Sequence, residues 1–323
     1  MPNWKDLPTA LAEQEKFSDL FFRPSDMDDK QKQEVLKTFV LSLHAEATGI
    51  ADAVNYKDHR LTEHPVDTQR ILYKSVDAYR YLLAIMNLWG ISGSTFASAL
   101  QQKDDYLHYR HALSEKKWSG QPIVLFDIDD VLADFRGAFC DFVTKSTGIF
   151  IDPTSTEYYN ATVFKKHGLN NEFFFRSFLD GHGFYELGLD TVYFDFLRNL
   201  KAAGFWIQLV TSRPDKNVTC FYDTYSWLSK HNVPADSIVF TPEKLAWLVD
   251  QPFYSKSNTV FFAVDDSAKH SAEYSKHGVT TVVPQKSYNS EVAWLDNVIY
   301  VPNDEDPFDF AKRAGLVSDR RVL

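Results

Sequence analysis

Three short runs carry side chains able to act on a phosphate ester. Asp127-Ile128-Asp129-Asp130, Thr211-Ser212-Arg213 and Asp265-Asp266-Ser267 each follow directly on an apolar run. Carboxylates two positions apart at a strand end point differently, because side chains alternate along a strand, so they can divide labour. One can attack phosphorus and form an aspartyl-phosphate, while the other protonates the leaving oxygen and then activates water. Gathered carboxylates repel one another unless a cation sits among them, and hard oxygen donors suit Mg²⁺. The ion would also neutralise phosphoryl oxygens, with a hydroxyl from Thr211 and an ammonium holding the remainder. An EF-hand reading of the acidic run fails. Its sixth position is Leu132 rather than Gly and its twelfth is Ala138 rather than Glu.

Such residues need elements that bring them together. The runs at 123–126 and 260–264 are continuously apolar and 206–210 is apolar but for Gln208, the pattern of strands buried on both faces of a parallel sheet. Residues 192–203 read as an amphipathic helix closed by Gly204. Short strands alternating with helices imply an open α/β sheet with right-handed crossovers, which binds its ligands at the carboxyl ends of the strands. The three polar runs therefore converge on one edge.

The first 118 residues have a different style and read as all helix. One helix runs from Asp28 to about Val54, with Leu36, Phe39, Val40 and Leu43 at helical spacing. A second opens near Pro65, carries the stripe Leu72, Val76, Tyr79, Leu83 and Met86, and stops at Gly90. A third covers 94–109. The polar segment 117–122 marks the change, so the expected domains are 1–118, all-α, and 119–323, α/β.

The motifs are specific enough to support a resemblance. IVLFDIDDVL at 123–132 resembles the first motif of the haloacid dehalogenase superfamily, which implies Asp127 as nucleophile and Asp129 as acid/base. LVTS at 209–212 is similar to the second motif and implies phosphate binding by Thr211. VFFAVDDS at 260–267 is similar to the fourth and implies Asp265 as a metal ligand, with Asp266 beside it. The metal set implied for Mg²⁺ is Asp127, Asp265 and Asp129, the last through its backbone carbonyl. The third motif is a lysine. Lys244 fits it because it opens an amphipathic segment after 238–240, and Lys256 is the alternative. The insertion between the first two motifs, about 136–190, implies a helical cap over the site.

A closer resemblance is to the 5′(3′)-deoxyribonucleotidases, carried by DIDDVLADF at 127–135, VTS at 210–212 and IVFTPEK ahead of VDD. It implies that Phe135 lines a base and sugar pocket. The insertion is rich in aromatics, Tyr158, Tyr159, Phe164, Phe173–Phe175, Phe178, Phe184 and Tyr185 among them. Most are expected to pack the cap, and one or two, Phe184 the candidate, to stack on a base. Ser212 and Arg213 are expected on the substrate, Arg213 through its bidentate fork. Asp130 and Arg213 depart from the nucleotidase pattern, and TSRP is similar to the phosphatase half of polynucleotide kinases, where the substrate is a nucleic-acid end. In the helical half, 43–60 and 71–83 resemble the all-α nucleotide pyrophosphohydrolases of the MazG and dimeric dUTPase group. Glu46 and Asp77 match their carboxylates, while Gly49 and Lys74 replace the other two. Glu63 and Asp52 are the conceivable substitutes. That pattern implies a bundle without the metal chemistry, serving nucleotide sensing or a homodimer.

Composition bounds the function. The chain has 323 residues, a formal charge of -10 and 15% aromatic side chains. The acidic balance argues against a general grip on nucleic-acid backbones. Cys140 and Cys220 form no framework or metal motif, and are expected to be buried thiols in a reducing compartment. There is no charged-then-apolar leader and no apolar run of membrane-spanning length, so a cytoplasmic location is expected. The expected activity is Mg²⁺-dependent hydrolysis of nucleoside or deoxynucleoside monophosphates. The alternatives are a polynucleotide-end 3′-phosphatase, a non-catalytic nucleotide sensor, and triphosphate hydrolysis in the helical half.

Overall fold

A computed structural model describes residues 6–54, 65–155, 161–254 and 260–317. Tyr158, Tyr159, Glu63 and Lys256 lie outside them. The chain divides into two compact units, residues 1–102 and 103–323.

The smaller unit holds α1 (Leu7–Ser18), α2 (Asp29–Ala51), α3 (Thr68–Leu88) and the start of α4 (Gly93–Ser114). Asp28 caps α2 in a reciprocal box with Gln31. Asp67 caps α3 by accepting from Arg70 N–H, so the helix starts after Pro65 rather than at it. Gly90 follows the end of α3 in the left-handed conformation that glycine tolerates. α1, which the sequence reading had not picked out, packs Ala10 and Leu11 on Leu83 and Met86 of α3. Only that end of the expected stripe is covered. Leu72, Val76 and Tyr79 are 55%, 47% and 42% exposed, so the first half of α3 presents an apolar face.

The larger unit is a six-stranded, wholly parallel sheet in the order β3-β2-β1-β4-β5-β6. The strands are β1 (Ile123–Phe126), β2 (Trp206–Thr211), β3 (Ser237–Phe240), β4 (Val260–Val264), β5 (Thr281–Pro284) and β6 (Val298–Val301). After β1 come α5 (Phe135–Thr147), α6 (Ala161–Lys166), α7 (Asn171–Asp180) and α8 (Thr191–Ala202). α9 (Val218–Lys230) follows β2, α10 (Lys244–Val249) follows β3, α11 (Ala268–Lys276) follows β4 and α12 (Pro307–Arg313) follows β6. Alternation decides which face each strand residue serves. Val124 and Phe126 belong to a core with α5, α8 and α9, while Ile123 and Leu125 belong to one with Leu248 of α10 and Tyr274 of α11. Apolar layers on both faces explain the continuous apolar runs.

The unit boundary precedes residue 119 because the second half of α4 packs within the larger unit. Tyr106 meets Phe221, Tyr222 and Tyr225 of α9, and the Tyr109 hydroxyl donates to the Val233 carbonyl at 2.6 Å. Cys140 and Cys220 are buried free thiols, their pKa values pushed up by burial to about 11 and about 12. No single described helix is long and apolar enough to cross a membrane.

Candidate active site

β1 sits between β2 and β4, so the polar residues after these three strands meet at one edge. Asp127 Oδ1 accepts from Ile128 N–H at 2.7 Å, and Oδ2 lies 2.8 Å from Lys244 Nζ. The same ammonium lies 2.8 Å from Asp265 Oδ2. Lys244 is the first residue of α10 and is 1% exposed, so its charge is matched by two buried carboxylates. Burial opposes that charge, but Asp127 and Asp265 outweigh it and raise the lysine pKa. Burial pushes Asp127 up to about 8, with Asp265 and Asp129 adding and Lys244 opposing.

Asp127, Asp265 and Asp266 offer carboxylate oxygens that all lie within 4.8 Å of one another, and all three residues are buried. Burial, then Asp130, Asp127 and Asp265, raise the pKa of Asp266, whose carboxylate accepts from the Tyr288 hydroxyl at 2.6 Å. Buried anions that resist ionisation are what a bound divalent cation relieves, and oxygen donors suit a hard one. The residues fit Mg²⁺. Asp266 stands closer to this set than its place beside Asp265 implied. The carboxylate of Asp129 is not part of this set and bonds to Arg213 instead.

Thr211 is fully buried and its hydroxyl lies 3.5 Å from Asp129 Oδ2. A cavity of about 140 Å³ is bordered by Asp127, Asp129, Ser212 and Arg213 from the strand ends and by Phe135 and Phe184 from the cap side. Phe135 and Phe184 stack on each other at 5.3 Å and 10°, and Phe135 also stacks on Phe139 at 5.7 Å. Phe178 meets Phe135, Phe139 and Phe184 edge-on. These rings pack together in the cap's core, and Phe135 and Phe184 also border the cavity. Phe173 is exposed.

Asp130 adopts φ 55, a left-handed position at which glycine is unstrained. Its carboxylate accepts from Arg136 N–H at 2.8 Å, which secures the turn, and burial raises its pKa to about 6. His270 and Tyr288 went unnoticed in the sequence. His270 borders the cavity with Nε2 3.5 Å from Ser212 Oγ. Helix α11 starts right after the acidic strand end, so its first turn had to face the site; that was the available signal. Tyr288 follows β5, where only the fold shows proximity.

In the helical unit, Lys74 Nζ lies 2.7 Å from Glu46 Oε2, and this contact raises the lysine pKa. A Cβ on Gly49 would come within 3.0 Å of the Lys74 side chain. The two positions that lack a carboxylate therefore touch, and an ammonium takes the place of a cation at Glu46. Among the described residues, no three His, Cys, Asp or Glu side chains of this unit bring ligand atoms within 4.8 Å of one another.

Topology and site together place the larger unit among the phosphatases of the haloacid dehalogenase superfamily. Within it, the family described as 5′ nucleotidase, deoxy (pyrimidine), cytosolic type C protein (NT5C) matches residues 121–289, a little over half the chain. The chain belongs to that family, and is a phosphomonoesterase of nucleotidase type. No curated protein matches it in sequence. Among solved structures it is similar to a haloacid dehalogenase-like family hydrolase from Streptococcus pneumoniae at 13% identity, covering 61% of this chain and 100% of that one, with a TM-score of 0.43. It is also similar to a HAD family hydrolase from Deinococcus radiodurans R1 with bound phosphate and sodium, at 15% identity, 63% and 100% coverage and a TM-score of 0.43.

Proposed function

We propose that the protein hydrolyses nucleoside and deoxynucleoside monophosphates with Mg²⁺, through an aspartyl-phosphate on Asp127. The observation that carries this reading is the position of Asp127, buried at the end of β1 and bonded to Lys244, with Asp129 and Thr211 beside it. Asp127 attacks phosphorus in line while Asp129 gives a proton to the departing ester oxygen. Asp129 then takes a proton from the water that cleaves the acyl phosphate. Thr211, Ser212 and Lys244 hold the phosphoryl oxygens. Asp127, Asp265 and Asp266, with the Asp129 carbonyl, would hold Mg²⁺, which would offset charge on the transferring group.

A phosphate-release screen over nucleoside and deoxynucleoside monophosphates, with and without Mg²⁺, tests this. Mg²⁺-dependent release that varies with base and sugar is expected. A flat response across bases, with sugar phosphates preferred, would remove the nucleotide claim and leave the phosphatase claim.

The reading places the protein in the cytoplasm. For the helical unit we propose a resemblance to pyrophosphohydrolases in the bundle alone, and a homodimer through the exposed face of α3. A monomeric mass in sedimentation at micromolar protein would remove the dimer.

A further inference from the structure

An arginine after two hydroxyls at a strand end would ordinarily be assigned to the phosphate. Arg213 borders the cavity, but its donors point elsewhere. Nε lies 3.1 and 3.0 Å from the two oxygens of Asp129, Nη2 lies 2.7 Å from Oδ1, and Nη1 donates to Thr224 Oγ1 at 3.0 Å. The side chain is 1% exposed. Thr224 is fully buried on α9, where its hydroxyl donates to the Cys220 carbonyl at 2.7 Å, so the anchor is itself held. Above the guanidinium lies Phe184, with its ring centroid 4.3 Å from Cζ. The same ring is stacked on Phe135. From the turn after β2, this one side chain thus joins three parts of the unit: the turn after β1, α9 and the aromatic core of the cap.

A rigid planar fork bonded to both carboxylate oxygens fixes rotation as well as position, which a point charge cannot do. We propose that Arg213 is a positioning residue for Asp129, rather than a phosphate ligand, and that Phe184 ties this position to the seating of the cap. The inference rests on the reading of Asp129 as acid/base given above. In the first step the P–O ester bond breaks, the Asp127–phosphorus bond forms and Asp129 protonates the ester oxygen. In the second, water adds to phosphorus, its proton passes to Asp129 and the Asp127–phosphorus bond breaks. A leaving group that departs as a stabilised anion, such as p-nitrophenolate, needs no proton. With p-nitrophenyl phosphate only the second step should then depend on Asp129.

Rapid-mixing kinetics with p-nitrophenyl phosphate test this in Arg213→Lys, which keeps charge and loses the fork. The expected result is a burst of one p-nitrophenolate per enzyme, then a steady rate about 10- to 100-fold below wild type. Inhibition by inorganic phosphate should be unchanged. Asp129→Asn should behave alike, and the double variant should lose little more than either single one. Thr224→Val, which frees one arm without touching the cavity, should show a smaller burst of the same kind and guards against a folding defect in Arg213→Lys. If Asp129→Asn shows the burst, but Arg213→Lys shows none and binds inorganic phosphate at least tenfold more weakly, Arg213 is a phosphate ligand and the inference falls alone. If Asp129→Asn turns over like wild type, the acid/base reading falls and takes the inference with it.

Discussion

Tyr288 is placed to orient one member of the proposed metal set. It donates to Asp266 at 2.6 Å, and Asn289 beneath it donates to the Asp266 carbonyl at 2.8 Å, so both ends of that residue are held. Partners of this kind orient metal ligands, and their loss weakens binding by about tenfold or more. Tyr288→Phe is therefore expected to raise the Mg²⁺ concentration for half-maximal phosphate release at least tenfold, with little effect on saturated rate. An unchanged Mg²⁺ dependence would mean that Asp266 needs no such support. At this scale the sequence was informative where chemistry is local. Asp127 and Asp265 stand directly after apolar strands and Thr211 ends one, so type and position could be read together. Lys244 was legible from the segment it opens. The pairing of Asp129 with Arg213 spans 84 positions and the contact of Tyr288 with Asp266 spans 22, and no local pattern encodes either.

The elements that matter most are the cap helices, because their packing decides what borders the cavity. Gly183 lies against Phe178, whose ring atoms would stand 2.5 Å from an added Cβ. That ring is wedged among Phe135, Phe139 and Phe184 and has nowhere to go. Gly183→Ala is expected to destabilise the protein by about 1–3 kcal/mol through overpacking, measured by denaturant unfolding. Gly188→Ala, with nothing within 4 Å of the new methyl, is the control and should be near neutral. Equal effects in both would show that the ring cluster is loose. The aromatic surplus was visible in composition; its use was not, because stacking among Phe side chains and stacking on a base leave the same residues in the sequence. The strands of the sheet were readable for a physical reason: layers on both faces impose apolar runs.

Over the whole molecule, the acidic site should govern stability against pH. Asp127 and Asp130, raised to about 8 and about 6, exceed the ordinary carboxylate value of roughly 4. The native state therefore binds more protons than the unfolded chain between about pH 4 and pH 8, and stability falls as pH rises across that window. A cation binds the ionised form, so its stabilisation grows with pH. Thermal unfolding of the metal-free protein should show a midpoint falling from pH 5 to 8, with Mg²⁺ restoring most at the upper end. A midpoint that rises with pH without metal would contradict the burial of these charges.

The central claim is that Asp127 carries the phosphoryl group. Phosphate release by Asp127→Asn, compared with wild type at saturating Mg²⁺, tests it most directly, with circular dichroism and the unfolding midpoint confirming the fold. Because the amide keeps the shape of the carboxylate and loses its nucleophilic oxygen, the account predicts a folded protein with no detectable turnover. Substantial release from a correctly folded Asp127→Asn would contradict it and move the nucleophile elsewhere.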